Sequence, residues 1–234
     1  MIRPKALTSL SIFFPCYNES ENVGAMIEQA VKVGEEYGAD YEVVVVDDGS
    51  KDDSAQIVQS WSKKNPRVRL VQHEKNLGYG AALRTGFKNV TKDLVFLTDG
   101  DNQFHLTDID KLFSKIDGCD VVTGFRIVRQ DKAHRRLNGY LWTQLNRALF
   151  GLPVRDVDCA FKLFRKKILQ NLELKSNQLL IHAEILARLK KKGAKIEEIG
   201  VTHHPRTAGQ VTATRPGKVL KTFYELFSLY WQIR

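Results

Sequence analysis

Apolar residues cluster in two kinds of segment along the first half of the chain. Short runs of Val, Leu and Phe without polar alternation are typical of strands covered on both faces, whereas apolar residues spaced three and four apart predict helices. The pattern predicts strands over residues 8–14, 41–46, 68–71 and 94–97 and helices over residues 23–31, 55–61 and 81–90. This alternation of strand and helix is typical of an open, doubly wound sheet.

The second half contains the same kinds of segment in a less regular order. It predicts strands over residues 120–124, 160–164 and 195–201 and helices over residues 136–150 and 179–192. The last segment, 218–231, carries an apolar helical stripe. We interpret this helix as packed on the protein's own core. The alternative is a helix that lies on a membrane or binds a partner, which Tyr230, Trp231, Lys218 and Lys221 favour.

The chain shows no sign of division into separate domains. It contains no repeat, no low-complexity stretch and no linker rich in Pro, Gly or Ser. We therefore interpret residues 1–234 as a single α/β domain with a mostly parallel central sheet flanked by helices. Its 234 residues, 43% hydrophobic and 27% charged, are in the globular range. A disordered chain, a collagen-like repeat and a disulfide mini-protein are thereby excluded.

The cysteines and the hydropathy of the chain indicate the kind of compartment in which the protein works and whether the sequence contains a membrane span or a signal peptide. Cys16, Cys119 and Cys159 lie far apart and form no Cys-x-x-Cys pair, which argues against a disulfide framework or a zinc site and favours a reducing compartment. The apolar runs are far shorter than the roughly 18 residues that span a bilayer. Because Ser9 and Ser11 interrupt the first apolar patch, we expect a strand there rather than a signal peptide.

Charge is distributed unevenly between the two halves. The formal net charge is +9, but residues 1–117 carry 14 Lys and Arg against 18 Asp and Glu, whereas residues 118–234 carry 22 against 9. The first half thus has the composition to hold a cation and the second to hold anions. A solvated basic surface is the alternative interpretation for many of the lysines.

Acidic residues follow the second predicted strand. Asp47 and its neighbour Asp48 stand directly after it. A turn and helix cap would explain the surrounding Gly and Ser residues, but it does not require two consecutive carboxylates. Asp47 is suited to accept hydrogen bonds from a nucleobase or a ribose. The segment that follows the first strand faces the same crevice and brings Pro15, Tyr17 as a flat apolar surface, and Glu19 as a second acceptor.

A glycine-rich segment, Gly78-Tyr79-Gly80, opens the predicted helix after the third strand. It is a poor match to a dinucleotide-binding turn because Leu83 stands where that motif has its third glycine. Two interpretations stay open: a helix start whose N–H groups approach a phosphate, or simply a tight turn.

The most specific cluster follows the fourth predicted strand. Asp99 and Asp101 are two residues apart, and the carboxamide of Gln103 comes two further on. Such a loop can hold one hard divalent cation, Mg²⁺ or Mn²⁺, and leave positions for phosphate oxygens and water. His182 and Glu184, in contrast, are two apart on a predicted helix and do not share a face, so we do not expect them to form a metal pair.

The ordered series of motifs resembles the family 2 glycosyltransferases, and within them the polyprenyl-phosphate glycosyltransferases such as dolichol-phosphate mannose synthase. The motifs are Pro15-Cys16-Tyr17-Asn18-Glu19, Val46-Asp47-Asp48-Gly49-Ser50, Asn76-Leu77-Gly78-Tyr79-Gly80, Asp99-Gly100-Asp101-Asn102-Gln103, Gly124-Phe125-Arg126, the run from Asp156 to Phe164, and His203-His204-Pro205-Arg206. The resemblance implies a glycosyltransferase-A fold, which is Rossmann-like, a nucleotide-sugar donor, a divalent metal on Asp99, Asp101 and Gln103, and inversion at the anomeric carbon. Phe125 departs from the family, in which a small residue is commoner there.

The resemblance also implies which residues meet the acceptor. Arginines in the matching motifs of the family serve the acceptor phosphate, which indicates Arg126, Arg206 and one of Arg135 and Arg136. A lipid phosphate is largely ionised at neutral pH, so it needs guanidinium groups more than it needs a general base. Asp156 matches the position near the transferred sugar. It is expected to orient a sugar hydroxyl or act as a base, and the alternative is a simple pair with Arg155 or Lys162.

Together these features predict an enzyme that transfers a hexose from a GDP- or UDP-linked sugar to a polyprenyl phosphate. The catalytic set is Asp101, Asp156, Arg126 and Arg206. Residues 1–117 would bind the donor and metal, residues 118–217 the acceptor, and residues 218–234 form the amphipathic helix. We expect a peripheral protein at the cytoplasmic face of a membrane, with a membrane protein or a second copy of the chain as a further partner. The alternatives are a hydroxyl acceptor on a polysaccharide or glycolipid and, more remotely, a nucleic-acid-binding module.

Overall fold

The fold is built on one twisted sheet that draws strands from both halves of the sequence. A computed structural model describes residues 9–37, 40–127, 133–206 and 216–233. Within these ranges the strands are β1 (Ser9–Cys16), β2 (Asp40–Asp47), β3 (Val68–Gln72), β4 (Leu94–Leu97), β5 (Val121–Arg126), β6 (Lys162–Arg165) and β7 (Ile196–Val201). Their spatial order is β3-β2-β1-β4-β6-β5-β7. The prediction of an α/β fold with a mostly parallel sheet is confirmed.

Helices cover both faces of the sheet. Their bounds are α1 (Val23–Glu36), α2 (Ser54–Lys64), α3 (Tyr79–Asn89), α4 (Ile109–Ile116), α5 (Ala133–Phe150), α6 (Lys166–Leu169), α7 (Ile181–Lys191) and α8 (Pro216–Ile233). The sequence interpretation did not include α4, which follows a short 3₁₀ turn, or the single-turn helix α6. Ile109, Leu112, Phe113 and Ile116 of α4 are all buried, and their spacing of three and four is the helical signal for that element.

The core consists of two apolar layers because strand side chains alternate between the faces. Ile12 and Phe14 of β1 belong to the layer covered by α1 and α4, whereas Phe13 belongs to the layer covered by α3 and α7. The Val-rich run of β2 is fully buried on both faces. This is why its sequence shows no polar alternation.

One strand breaks the parallel arrangement. β6 lies between β4 and β5 and runs antiparallel to both, whereas the pairs β1–β2, β1–β4, β2–β3 and β5–β7 are parallel. An antiparallel strand enters the sheet from the end at which the parallel strands finish. The segment that leads into β6, residues 156–161, therefore lies at the same edge as the loops that follow β1, β2 and β4.

The terminal helix α8 divides its apolar residues between the core and the surface. Leu226 and Leu229 are buried, whereas Tyr224 and Trp231 are 78% and 70% exposed. The ring of Phe223 meets Trp142 of α5 edge to face. The helix thus packs on the core along one side and displays aromatic residues on the other. No helix among the described residues has both the length and the hydropathy to cross a bilayer.

Candidate active site

The loops after β1, β2 and β4 meet at one edge of the sheet. Cys16 at the end of β1 is in register with Asp47 at the end of β2, and Phe13 of β1 is in register with Leu97 at the end of β4. Ligands of open α/β sheets bind outside these carboxyl ends. The predicted residues Tyr17, Asp47 and Asp99 therefore lie at the edge where a ligand is expected.

Hydrogen bonds lock the first two of these loops together. Asn18, in the left-handed region at φ 53°, donates its N–H to Oγ of Ser50 (2.9 Å) and accepts the N–H of Lys51 on Oδ1 (2.8 Å). The N–H of Glu19 donates to Oγ of Ser54 (2.9 Å). These contacts hold the Pro15–Glu19 segment in a fixed position against the loop that follows β2 and the start of α2.

The two consecutive acids after β2 have different partners. Asp47 is fully buried, and Oδ2 accepts from Nε2 of Gln72 at 3.0 Å. Asp48 accepts the N–H groups of Leu77 and Gly78, both at 2.9 Å, and its Oδ1 lies 2.7 Å from Nδ1 of His73. Asp48 thus anchors the glycine-rich segment, a role that the sequence interpretation missed.

The glycine-rich segment is a tight turn. Gly78 has φ 100°, where a side chain is strained, and the N–H of Gly80 donates to the carbonyl of Asn177 at 2.9 Å. Because the N–H groups of Leu77, Gly78 and Gly80 are all bound to protein acceptors, the structure favours the turn over a phosphate-binding helix start.

Asp99 and Asp101 form a partly buried pair of carboxylates after β4. Burial raises the pKa of Asp99, although a hydrogen bond from Tyr79 acts in the opposite direction. Burial and the charge of Asp99 raise the pKa of Asp101 to about 7. Oδ1 of Asp101 accepts the N–H of Gln103 at 3.2 Å. The pair is electrostatically costly without a nearby positive charge.

A partly buried tyrosine and a buried histidine stand behind this pair. The hydroxyl of Tyr79 donates to Oδ1 of Asp99 at 2.6 Å and lies 3.0 Å from Nε2 of His182. Burial and the charges of Lys162 and Arg126 lower the pKa of His182 well below its ordinary value, so the ring is neutral. The sequence interpretation assigned no role to Tyr79 and considered His182 only as a metal ligand.

We call the edge of the sheet that carries Asp47, Asp99 and Asp101 the acidic edge. A segment from the C-terminal part of the chain brings positive charge to it. Nε2 of Gln103 donates to the carbonyl of His204 (2.9 Å), and the N–H of His204 donates to the carbonyl of Gln103 (2.8 Å). This two-way link brings Arg206 into an ion pair with Glu19 and within 4.0 Å of Asp101. Arg206 therefore lies among the predicted donor and metal residues.

Glu19 is occupied by protein partners on both carboxylate oxygens. Oε1 accepts from Arg206, and Oε2 accepts from Nδ2 of Asn22 at 2.7 Å. In this arrangement Glu19 holds Arg206 in place, whereas the sequence interpretation made it an acceptor for the nucleoside.

Arg126 and Asp156 form a bidentate ion pair across β5 and the segment before β6. Nε of Arg126 donates to Oδ2 of Asp156 (2.6 Å), and a second guanidinium nitrogen donates to Oδ1 (2.8 Å). Burial acts to lower the pKa of Arg126, but these bonds and the charge of Asp156 raise it overall. Asp156 thus pairs with Arg126, a partner that was not considered from the sequence.

Two further ionisable groups, one partly buried and one fully buried, lie beside this pair. Burial and the charge of Asp156 raise the pKa of Asp158 to about 6, and Nε1 of Trp142 donates to its Oδ1 at 3.1 Å. Lys162 is fully buried and donates to the carbonyls of Cys159 and Val157. Burial lowers the pKa of Lys162.

A cavity of about 590 Å³ opens next to the Arg126–Asp156 pair. Its lining combines guanidinium groups with apolar side chains: Phe125, Arg126, Ile127, Arg136, Leu137, Gly139, Tyr140, Arg155 and Asp156. The guanidinium of Arg155 stacks on the ring of Phe125, 3.9 Å from its centroid, and pairs with Glu198 at 2.9 Å. Arg155 is a cavity residue that the sequence interpretation missed; the side chain of Arg135 lies outside the described residues.

The acidic edge has the donor set of a divalent-cation site. Within the described ranges, no group of three His, Cys, Asp or Glu side chains is close enough to bind a metal without other ligands. Mg²⁺ sites typically use one or two protein carboxylates and take their remaining ligands from phosphates and water. This description fits the carboxylates of Asp99 and Asp101 together with the amide oxygen of Gln103. A bound cation would also relieve the repulsion between the two carboxylates.

Solved structures of one enzyme superpose on this chain. Glucosyl-3-phosphoglycerate synthase from Mycobacterium tuberculosis, solved with Mn²⁺, UDP and phosphoglyceric acid, superposes with a TM-score of 0.69 over 95% of this chain and 78% of that chain, at 18% identity. The same enzyme with Mn²⁺ and UDP-glucose gives 0.65 over 95% and 79%, at 18% identity. The fold is therefore the glycosyltransferase-A fold.

Sequence comparison is more specific than the fold. Residues 11–173 match the family model described as glycosyl transferase family 2. The chain belongs to glycosyltransferase family 2 and is a transferase, which confirms the resemblance seen in its motifs.

One curated relative has a more specific name than the family. The undecaprenyl-phosphate 4-deoxy-4-formamido-L-arabinose transferase of Enterobacter sp. (strain 638) is 31% identical over 215 residues, which is 90% of this chain. The chain spans 64% of the length of that relative.

Proposed function

We propose that the protein transfers a hexose, with inversion at the anomeric carbon, from a GDP- or UDP-linked sugar to a polyprenyl phosphate at the cytoplasmic face of a membrane. The observation that carries this proposal is the cavity, which combines arginines with exposed apolar residues. A lipid phosphate has two parts that complement these residues: an anionic group for the arginines and a hydrocarbon chain for the apolar side chains. The relative named as an undecaprenyl-phosphate transferase supports the same acceptor class.

The cavity contains a guanidinium that is available to an anion. Arg126 is paired with Asp156, and Arg155 is paired with Glu198. Arg136 is exposed and forms no ion pair with any residue that the structure describes. Guanidinium groups match phosphate in charge and planar geometry. Of the two arginines considered from the sequence, Arg135 and Arg136, the cavity supports Arg136 as the one that binds the acceptor phosphate.

Apolar side chains at the same cavity support a lipid surface as its setting. Ile127, Leu137 and Tyr140 line it and are 60%, 57% and 59% exposed, and the neighbouring Leu141 is 55% exposed. Exposed apolar residues next to an anion site suit a hydrocarbon chain or the interfacial layer of a bilayer.

The acidic edge is the proposed donor side. Asp47 would accept from the nucleoside, and Tyr17 and Pro15 would provide an apolar surface beside it. Asp99, Asp101 and Gln103 would hold Mg²⁺ or Mn²⁺, which when bound supplies a Lewis acid for the leaving diphosphate. The contact of Arg206 with Glu19 and Asp101 supports a role for its guanidinium at that diphosphate as well.

The state of Asp156 supports phosphate rather than hydroxyl as the nucleophile. A carboxylate bound by both oxygens to a guanidinium is a weak proton acceptor, because protonation would break two charge-assisted hydrogen bonds. An ionised phosphate needs no base. Asp156 then serves to orient Arg126, and through it the sugar or the acceptor.

The test is product formation by the purified chain. It is incubated with vesicles that contain a polyprenyl phosphate and with a panel of GDP- and UDP-sugars, including a UDP-linked L-arabinose derivative, with MnCl₂ or EDTA. We expect one donor to give a glycosylated lipid phosphate with inverted anomeric configuration, and EDTA to stop the reaction. Transfer to a polysaccharide or glycolipid hydroxyl, with the lipid phosphate inert, would overturn the proposal.

A further inference from the structure

Tyr79 and His182 form a hydrogen-bonded chain to Asp99 that the proposed chemistry leaves unexplained. The Tyr79 hydroxyl lies between Oδ1 of Asp99 (2.6 Å) and Nε2 of His182 (3.0 Å). The two residues come from α3 and α7, 103 positions apart in sequence. Tyr79 has the only hydroxyl in this chain of contacts, so the direction of its proton decides how the three groups are connected.

Close packing of α3 against the segment before α7 makes the contact possible. A Cβ at Gly80 would lie 2.4 Å from the carbonyl oxygen of Ser176, so only glycine allows this approach. The rings of Tyr79 and His182 are then 5.4 Å apart between centroids. The glycine beside Tyr79 therefore serves to bring the histidine within reach of its hydroxyl.

The number of hydrogen-bond donors among the three groups determines which tautomer of His182 is present. An ionised Asp99 only accepts, so the single proton of the Tyr79 hydroxyl points to it, and the tyrosine oxygen must itself accept from His182. This requires the tautomer with a proton on Nε2 and none on Nδ1. Nδ1 of His182 is buried and has no hydrogen-bond partner among the described residues. A buried acceptor without a partner is the more tolerated case, since orphaned N–H donors are rarer.

We infer that Tyr79 and His182 are positioning residues that hold Oδ1 of Asp99 and leave Oδ2 as the oxygen available to a divalent cation. The inference rests on the proposed function. Without the tyrosine hydroxyl, repulsion by Asp101 favours rotation of Asp99 away from the pair. The outer contacts of a metal-binding side chain typically contribute a factor of roughly 10 to 100 to metal affinity.

The test measures Mn²⁺ binding in the presence of UDP by electron paramagnetic resonance of the free ion, independently of turnover. Tyr79→Phe removes one oxygen and keeps the ring, and we expect Mn²⁺ affinity to fall roughly 10- to 100-fold. Tyr41→Phe, which removes the hydroxyl of a buried tyrosine at the start of β2, is the matched control and should bind as the wild type does.

Substitutions of the histidine separate positioning from packing. His182→Gln keeps an N–H donor and should retain most of the affinity, whereas His182→Leu keeps the bulk without a donor and should resemble Tyr79→Phe. If Tyr79→Phe bound Mn²⁺ as tightly as the wild type, this inference would be overturned while the proposed function would stand. Failure of the wild type to bind Mn²⁺ and UDP would overturn the proposed function as well.

A second measurement needs no metal. ¹⁵N spectra of the histidine rings, assigned by comparison with His182→Gln, report which nitrogen of His182 carries the proton. At a pH at which Asp99 is ionised, we expect a neutral ring protonated on Nε2 in the ligand-free protein. A proton on Nδ1 would mean that the tyrosine donates to the histidine, and it would overturn the inference whatever the folding of the variants.

Discussion

At the scale of single residues, the partners of each acid determine what it can do. Asp48 accepts two backbone N–H groups and holds a turn, whereas Asp156 is bound at both oxygens by Arg126. Asp101 shares a partly buried position with Asp99, and its pKa rises to about 7. At one edge of the sheet, aspartate thus serves in three ways: it anchors a turn, it pairs with an arginine, and it is a candidate cation ligand.

Asp158 offers a test of this electrostatic account by thermal unfolding. Its folded pKa of about 6, raised by burial and by Asp156, exceeds that of an unfolded Asp, near 4. The folded state therefore favours protonated Asp158, and ionisation above pH 6 destabilises it by on the order of 3 kcal/mol. Asp158→Asn removes the charge and keeps an acceptor for Trp142.

We expect Asp158→Asn to melt at a higher temperature than wild type at pH 7.5. The difference should shrink as the pH is lowered through 6 toward 4, because below pH 4 Asp158 is protonated in both states. Calorimetry across this range checks the expectation. A difference in melting temperature that does not change with pH would contradict the assigned pKa.

At the scale of elements, the parts visible in sequence are those that depend on local pattern. The Val-rich β2 and the amphipathic α1 were predicted because their burial follows directly from their spacing. The antiparallel direction of β6 was not predicted, because direction depends on the neighbours β4 and β5 rather than on the strand itself. The four-residue helix α6 buries no residue and leaves no apolar pattern to recognise.

The candidate site divides in the same way. Asp47, Asp99, Asp101 and Gln103 stand at strand ends and were found from their positions after apolar runs. The pairing of Arg206 with Glu19 depends on residues 187 apart in the sequence, and no local pattern reports it. A mutual hydrogen bond between two distant segments can be recognised only once the fold is known.

The loop after β4 is expected to depend on its close approach to β1. A Cβ on Gly100 would lie 2.5 Å from the carbonyl oxygen of Pro15, which is backbone and cannot turn aside. Gly100→Ala should therefore move Asp99 and Asp101 and weaken UDP binding at least 10-fold. Gly118→Ala, where the nearest such atom lies 4.0 Å away, is the control. Equal UDP affinities of the two variants, measured by calorimetry with Mn²⁺, would refute this dependence.

At the scale of the whole molecule, the charge asymmetry of the sequence is not a spatial division. The basic second half supplies Arg206 to the acidic edge formed by the first half. The cavity next to it collects Arg126, Arg136 and Arg155 from β5, α5 and the segment before β6. The proposed donor and acceptor sides therefore share one edge of a single sheet, which suits a reaction between two anionic substrates.

The proposed separation of donor and acceptor binding rests on Arg136. It is exposed, so Arg136→Ala should leave the fold intact, and the loss of one charge-assisted contact to phosphate costs about 1.5–3 kcal/mol. Arg147→Ala, an exposed arginine of the same helix outside the cavity lining, is the matched control.

The most direct measurement is the rate of sugar transfer as a function of polyprenyl phosphate concentration, with donor hydrolysis followed in the same samples. For Arg136→Ala we predict that kcat/KM for the lipid phosphate falls roughly 10- to 100-fold while donor hydrolysis keeps its wild-type rate. Arg147→Ala should match the wild type in both. An unchanged kcat/KM in Arg136→Ala, or an equal loss of transfer and hydrolysis, would contradict an acceptor phosphate bound in the arginine cavity.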